Sequence, residues 1–132
     1  MPYVYVYQCD GCDWDTEVVL AQEFRVTPEG DRAPYDYPAE GLVQWPPQRV
    51  SGLRSRLWCP RCRATRELVL VQLDEPAEHP VQVFLAAEAR GMTGAETGPC
   101  PECGAELQVD PEGMPCPRCG TGRLAGIGEY EP

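Results

Sequence analysis

Apolar residues in the N-terminal part of the chain are concentrated in short runs rich in β-branched and aromatic side chains. The run 3–7 alternates tyrosine and valine, and the run 16–21 follows it after a polar gap. A second pair of runs, 53–58 and 66–73, has the same layout fifty residues later. Because such residues favour extended backbone, each pair predicts a β-hairpin.

The two predicted hairpins resemble each other position by position. At an offset of fifty residues, Glu17 corresponds to Glu67 and Gln22 to Gln72. The correspondence favours two like halves that face each other across a shared site. The alternative is that two strand segments of similar composition agree by chance.

A long insert, 23–52, separates the hairpins. Its five prolines and three glycines predict loop structure. Several bulky apolar residues argue against disorder and are expected to pack over the hairpins: Phe24, Tyr35, Tyr37, Leu42 and Trp45.

One helix is predicted, over residues 81–90. Val81, Phe84 and Leu85 recur there at helical spacing, and Gly91 follows as a C-terminal cap. This apolar face is expected to pack on the N-terminal part of the chain. The stretch 91–98 lacks periodicity and predicts a flexible linker.

Charge changes this picture because it is unevenly distributed. The net charge is −10, yet the window 41–66 contains six arginines and no acidic residue. An acidic chain is repelled by nucleic acid, so any nucleic-acid contact must come from this window. The candidate contacts are Arg54, Arg56, Arg61 and Arg63. The alternative is internal neutralisation, since the repeat places Asp13 opposite Arg63.

All eight cysteines stand in pairs with two residues between the partners. The pairs are Cys9/Cys12, Cys59/Cys62, Cys100/Cys103 and Cys116/Cys119. One such turn supplies two thiolates, and two turns complete a tetrahedral four-thiolate site, so we predict two Zn²⁺ ions per chain. The repeat predicts that the first two pairs share one ion. Trp14, Trp45 and Trp58 are expected to pack around that ion.

The C-terminal sequence CPECGAELQVDPEGMPCPRCG contains two full knuckles and resembles the zinc-ribbon and double-zinc-ribbon modules of bacterial and archaeal proteins. The resemblance implies a structural Zn²⁺ on Cys100, Cys103, Cys116 and Cys119. Apolar residues are few in this part of the chain. Metal is therefore expected to fold it, because a structural Zn²⁺ contributes about 10 to 16 kcal/mol.

The N-terminal residues 1–12 resemble the opening of small FmdB-like regulatory zinc ribbons. This region, the stretch 37–41 and the stretch 58–62 are also similar to rubredoxins, which hold iron. Rubredoxins carry glycine after the second cysteine of each knuckle, where this chain has Asp13 and Arg63. That difference favours Zn²⁺ over iron, since the glycine lets backbone amides approach the sulfurs.

These observations predict a small, mainly β protein with one helix and two zinc-ribbon modules that have rubredoxin-like knuckles. Residues 1–90 form the N-terminal module with its insert and helix. Residues 91–98 form the linker and residues 99–132 the C-terminal ribbon.

Function is predicted by exclusion. An enzyme is not expected, because no cysteine remains as a nucleophile, both metal sites are closed, and the chain has no lysine and two serines. No signal segment or membrane-spanning apolar run is present, which predicts a cytoplasmic protein without a membrane role. The favoured hypothesis is a scaffold or adaptor that binds a protein partner. The alternatives are a nucleic-acid-associated regulator and an iron electron carrier.

Overall fold

The computed structural model describes residues 3–36 and 49–130. Its elements, in chain order, are β1 (Tyr3–Cys9), β2 (Asp15–Val26), β3 (Arg32–Pro34), β4 (Val50–Cys59), β5 (Ala64–Ala77), α1 (Val81–Ala89) and β6 (Leu124–Tyr130). The predicted fold class is confirmed: the protein is small and mainly β, with a single helix in the described ranges.

The strands form one antiparallel sheet in the order β5-β4-β2-β1-β6, and β3 pairs with the far end of β2. Both predicted hairpins are present, β1–β2 with Tyr5 opposite Val18 and β4–β5 with Ser55 opposite Leu68. They are joined edge to edge, because β2 and β4 pair along their length. The two like halves are thus neighbours in one sheet, and they do not face each other across a shared site.

Strand β2 contains a β-bulge. The β2–β4 register shifts between Val19 and Gln22, and Ala21 has a φ of 51° in the left-handed region. The Ala21 amide donates to the Ser55 hydroxyl at 3.0 Å. This bond satisfies the amide that the bulge removes from the ladder.

Apolar side chains form two clusters. The first surrounds the cysteines and includes Tyr7, Leu57, Trp58, Leu107 and Leu124. Trp14 packs against this cluster, with its ring edge-on to that of Trp58 and the ring centroids 6.2 Å apart. Packing of these two tryptophans around the cysteines, as expected from the sequence, is therefore observed; Trp45 lies outside the described residues.

The second cluster lies between the sheet and α1. It contains Val50, Leu53, Val71, Val83 and Ala87. Of the predicted helix face, Phe84 packs on this cluster. The prediction is wrong for Val81 and Leu85, which are 48% and 56% exposed, and Val83 and Ala87 are buried instead. The predicted cap is present: Gly91 has a φ of 72°, and the Met92 amide donates to the Ala87 carbonyl at 3.1 Å.

The insert contains more strand than the sequence predicts. β2 extends to Val26, β3 lies within the insert, and β4 begins at Val50. Phe24 is fully buried and Tyr35 packs on the second cluster. The other expected packing residues, Tyr37 and Leu42, lie outside the described residues.

The segment after α1 returns to the sheet. β6 pairs with β1 from Val4 to Cys9, so the sheet contains strands from both sides of the predicted 91–98 linker. The division into an N-terminal module, a linker and a C-terminal ribbon stays a prediction. Within the described ranges, the only helix is too short to cross a membrane.

Candidate metal centres

The tips of both hairpins lie at one edge of the sheet. β1 ends at Cys9 and β2 begins at Asp15, so the first cysteine pair occupies the turn between them. The second pair occupies the equivalent turn between Cys59 and Ala64. Because β2 and β4 are antiparallel neighbours, the start of β2 lies beside the end of β4, and both turns project from the same edge.

The segment between α1 and β6 brings the third and fourth pairs to this edge. It docks on the second hairpin through backbone hydrogen bonds of 2.9 and 2.8 Å between Trp58 and Gln108. It docks on the first where the Asp10 amide donates to the Arg123 carbonyl at 3.0 Å. The Arg123 amide in turn donates to the Asp10 carboxylate at 2.9 Å. Each C-terminal pair is thereby held over one hairpin tip.

The eight cysteines form two tetrads, each joining an N-terminal pair to a C-terminal pair. The outer site consists of Cys9, Cys12, Cys116 and Cys119. The inner site consists of Cys59, Cys62, Cys100 and Cys103. The names follow the order along the chain, in which the outer pairs enclose the inner ones.

The predicted partition of the cysteines is therefore wrong. The repeat assigned Cys9, Cys12, Cys59 and Cys62 to one site, and the zinc-ribbon resemblance assigned Cys100, Cys103, Cys116 and Cys119 to the other. Neighbouring strands are about 4.8 Å apart, which separates the midlines of the two hairpins by roughly 10 Å. The C-terminal segment hydrogen-bonds to each tip, through Gln108 to Trp58 and through Arg123 to Asp10, and supplies the sulfurs that complete each tetrad. The third and fourth cysteine pairs lie outside the sheet strands. Each of them completes the tetrad at one hairpin tip.

The sulfur positions fit a tetrahedral metal. In the outer site the Sγ atoms of Cys9 and Cys119 are 3.6 Å apart and those of Cys12 and Cys116 are 3.7 Å apart. In the inner site the corresponding distances are 3.4 Å for Cys59 and Cys103 and 3.9 Å for Cys62 and Cys100. With the metal–sulfur distance of about 2.3 Å that Zn²⁺ adopts, the sulfurs of a regular tetrahedron lie about 3.8 Å apart. All eight thiols are free of disulfides.

Backbone turns orient the thiols. In the second knuckle the Arg63 amide donates to the Cys59 carbonyl at 2.8 Å, and Gly104 makes the equivalent 2.9 Å bond to Cys100 in the third. The turn requires a left-handed residue, and Gly104 has a φ of 79°. Arg63 adopts the same conformation, with a φ of 56°. Asp13, after the first knuckle, does not.

Gly122 makes room for the outer site, and sequence reasoning missed it. A Cβ added at this buried glycine would lie 2.2 Å from the Cys9 sulfur. The Gly122 amide also donates to the Cys119 sulfur at 3.3 Å. Its sequence signal is the second glycine of Cys119-Gly-Thr-Gly122, which the knuckle pattern does not require.

The two sites differ in their charged surroundings. Beside the outer site the Arg118 guanidinium pairs with the Asp13 carboxylate at 2.7 Å, and both side chains are exposed. Beside the inner site, interaction with the Cys62 thiol raises the pKa of the Arg66 guanidinium. Arg61 also donates to the Cys103 carbonyl at 3.4 Å. Two guanidinium groups therefore lie close to the cysteines of the inner site.

The thiols of each tetrad differ in acidity. The amides of Gly122 and Thr121 lower the pKa of Cys119 to about 6. Burial would raise the pKa of Cys100, but the amides of Cys103 and Glu102 lower it to about 6. Hydrogen bonding from Cys103, together with burial, raises the pKa of Cys62 to about 12. Four adjacent thiols thus divide into proton donors and acceptors, and a cation is needed for all four to be thiolates.

The predicted nucleic-acid contacts are not equivalent. Arg54 is 7% exposed and its guanidinium pairs with Glu67 at 2.7 Å. Arg56, Arg61 and Arg63 are exposed on the second hairpin. Some internal neutralisation therefore occurs. The basic partner of Asp13 differs from the predicted one, because Asp13 pairs with Arg118 and not with Arg63.

Comparisons of the chain with protein-family profiles, with curated protein sequences and with solved structures found no match. Among residues 3–36 and 49–130, each site presents four thiols and no further ligand, so that a bound ion would be held by sulfur alone. Such a site binds metal and leaves no position open for a substrate.

Proposed function

We propose that the protein is a non-catalytic scaffold or adaptor that holds two structural Zn²⁺ ions and binds a protein partner. The observation that supports this proposal is the presence of two closed four-thiolate tetrads, each of which links distant parts of the chain. Structural zinc sites have this composition, whereas catalytic ones keep a position for water or substrate. Free thiols require a compartment that keeps them reduced, and the cytoplasm meets this requirement.

Zinc is favoured over iron because closed tetrahedral thiolate sites satisfy an ion without geometric preference. Rubredoxin-type iron sites rely on amides directed at the sulfurs from both knuckles. The first knuckle has Asp13 outside the left-handed conformation that would support this arrangement. This second argument applies to the outer site; at the inner site Arg63 and Gly104 are both left-handed, and Zn²⁺ is assigned there on the closed tetrahedral geometry alone.

Metal analysis of the purified chain tests the assignment. The expected result is two zinc ions per chain, measured by native mass spectrometry and elemental analysis, and a colourless sample. A red sample with visible thiolate-to-iron bands would instead support an electron carrier. A metal-free chain that keeps its cooperative unfolding would overturn the structural role.

A nucleic-acid-associated regulator is the second candidate. It is supported by Arg56, Arg61 and Arg63, which are exposed on one hairpin. Trp58 is 1% exposed, so base stacking on this residue does not contribute. Retention of mixed DNA or RNA at 50 mM salt, lost when all three arginines become serine, would favour this candidate over the adaptor.

A further inference from the structure

A cavity of about 420 Å³ lies between α1 and the sheet. Tyr3 begins β1 and contributes to the cavity, whereas Cys9 ends the same strand at the outer metal site. The cavity and the metal centres therefore lie at opposite ends of the sheet. Its apolar wall is formed mainly by Leu20, Ala21, Leu53, Phe84, Ala87 and Met92.

Three local structures hold the wall in place. The bulge at Ala21 is tied to Ser55 by the 3.0 Å hydrogen bond described above. The cap at Gly91 fixes Met92 beneath the end of the helix. The Glu96 carboxylate accepts hydrogen bonds from the amides of Thr93 and Gly94, which closes the segment that forms the rim. A cavity with a fixed wall binds without the cost of ordering its own residues.

The charged residues at the cavity determine which ligands are complementary to it. Glu88 is exposed at the rim, and none of the lining residues in the described part of the chain is basic. The whole chain carries a net charge of −10. A ligand with an apolar group and an adjacent cation is therefore complementary to the site, whereas an anionic ligand is repelled.

We propose that this cavity is the docking site for a basic segment of a partner protein, which inserts one bulky aromatic side chain. The volume lies in the range of ligand pockets, about 300 to 1,000 Å³, and a tryptophan ring buries a large area at small entropic cost. A flanking lysine or arginine of the partner pairs with Glu88. Tyr3, 53% exposed, covers the outer face of the inserted ring. The inference rests on the proposed adaptor function and specifies its surface.

The probe is the tripeptide acetyl-Arg-Trp-Arg-amide, titrated into the metal-loaded, ¹⁵N-labelled chain. Saturable NMR shifts are expected at Leu53, Ala87 and Met92. Replacing the tryptophan of the peptide by alanine should weaken binding at least about tenfold, because the buried aromatic area is lost. Replacing both arginines by glutamate should abolish saturation.

Two variants locate the site. Ala95→Trp should weaken binding of the tripeptide at least about tenfold, because Ala95 is an exposed lining residue and the larger ring fills the cavity without disturbing buried contacts. Glu88→Gln should weaken it about two- to fivefold through the lost charge. Glu29→Gln, a matched charge change in an exposed turn outside the cavity, should leave binding unchanged.

The proposal is overturned if the tripeptide does not saturate, or if Ala95→Trp leaves its affinity unchanged. It is also overturned if the free chain is a dimer by light scattering that Ala95→Trp converts to a monomer, since the cavity would then hold a second copy. Metal content is measured on the same samples. Two ions per chain without peptide binding would reject the docking site alone, whereas a chain that binds no metal would reject the proposed function.

Discussion

The outer and inner metal sites present the same four thiols in different surroundings. At the inner site Arg66 interacts electrostatically with Cys62, and the second hairpin is joined to the C-terminal segment through the buried Trp58. At the outer site an exposed Arg118–Asp13 ion pair lies beside the cysteines, and Gly122 leaves no room for a larger residue. The four cysteines thus define which metal ions can bind, while the neighbouring residues determine how firmly a metal ion is held. We expect the outer site to release its metal first.

Loss of one ligand in each site should have the largest effect. Cys116→Ser and Cys100→Ser should each leave one metal ion per chain, because the two tetrads share no residue. A structural site contributes about 10 kcal/mol or more, which is comparable to the whole stability of a small domain. Each variant should therefore lose NMR dispersion around its own knuckles, with the metal counted by native mass spectrometry. Loss of both ions from either variant would contradict independent sites.

Gly122→Ala should separate the sites without touching a ligand. The added methyl would lie 2.2 Å from the Cys9 sulfur, so the outer site should lose its metal while the inner site keeps one ion. The matched control is Gly120→Ala, where φ is 73° and nothing lies within 4 Å of the added Cβ. That control should lose only about 1 kcal/mol of stability and keep both ions. Two ions in Gly122→Ala would refute the packing argument.

Two ion pairs that differ in burial allow the contrast between the hairpins to be tested. Glu67 pairs with the buried Arg54 and with Arg32, and Glu67→Gln should lower the free energy of unfolding by about 1 to 3 kcal/mol, because a buried guanidinium loses its partner. Asp13→Asn, in the exposed pair with Arg118, should change it by less than about 1 kcal/mol. Denaturant titration with both ions bound measures both values. Equal effects would contradict the role assigned to burial.

The same glutamate predicts a pH dependence. Burial opposes ionisation of Glu67, but the hydrogen bonds from Arg32 and Arg54 prevail and lower its pKa below 4.5. A carboxyl whose folded pKa is lowered stabilises the fold above its unfolded pKa, and that stabilisation is lost as the pH falls through the folded value. The difference in stability between the native chain and Glu67→Gln should therefore shrink below about pH 4.5.

The smallest expected effect is an increase in stability, caused by a substitution at Arg63. Arg63 holds a left-handed φ of 56° at the position where the third knuckle has Gly104. Arg63→Gly should stabilise the chain by about 1 kcal/mol, because glycine adopts this conformation without a steric penalty. The melting temperature should rise by about 2 to 5 °C. Asp13→Gly should give no such gain, since Asp13 is not left-handed.

The sequence predicted both hairpins, the helix and the eight cysteines that form the tetrads, but it missed β3 and β6 and failed on how the cysteines combine. The hairpins followed from local patterns of valine, tyrosine and leucine, and the eight ligands from their paired spacing. The partition of the ligands depends on which strands are neighbours, and the β2–β4 pairing carries no local signal. A repeat that looked like two facing halves is a side-by-side arrangement. Gly122 escaped notice because its role depends on a sulfur that lies more than a hundred residues away in the chain.

The nesting of the two sites affects the order in which the protein can assemble. The inner sulfurs that approach each other are 38 and 44 residues apart in the chain, and the outer ones are 104 and 110 residues apart. At a translation rate of about 5 to 20 residues per second, the first two thiols leave the ribosome roughly 5 to 20 seconds before their partners. During that interval they are open to oxidants and to the wrong metal. The first ligands to be made are thus among the last to be protected.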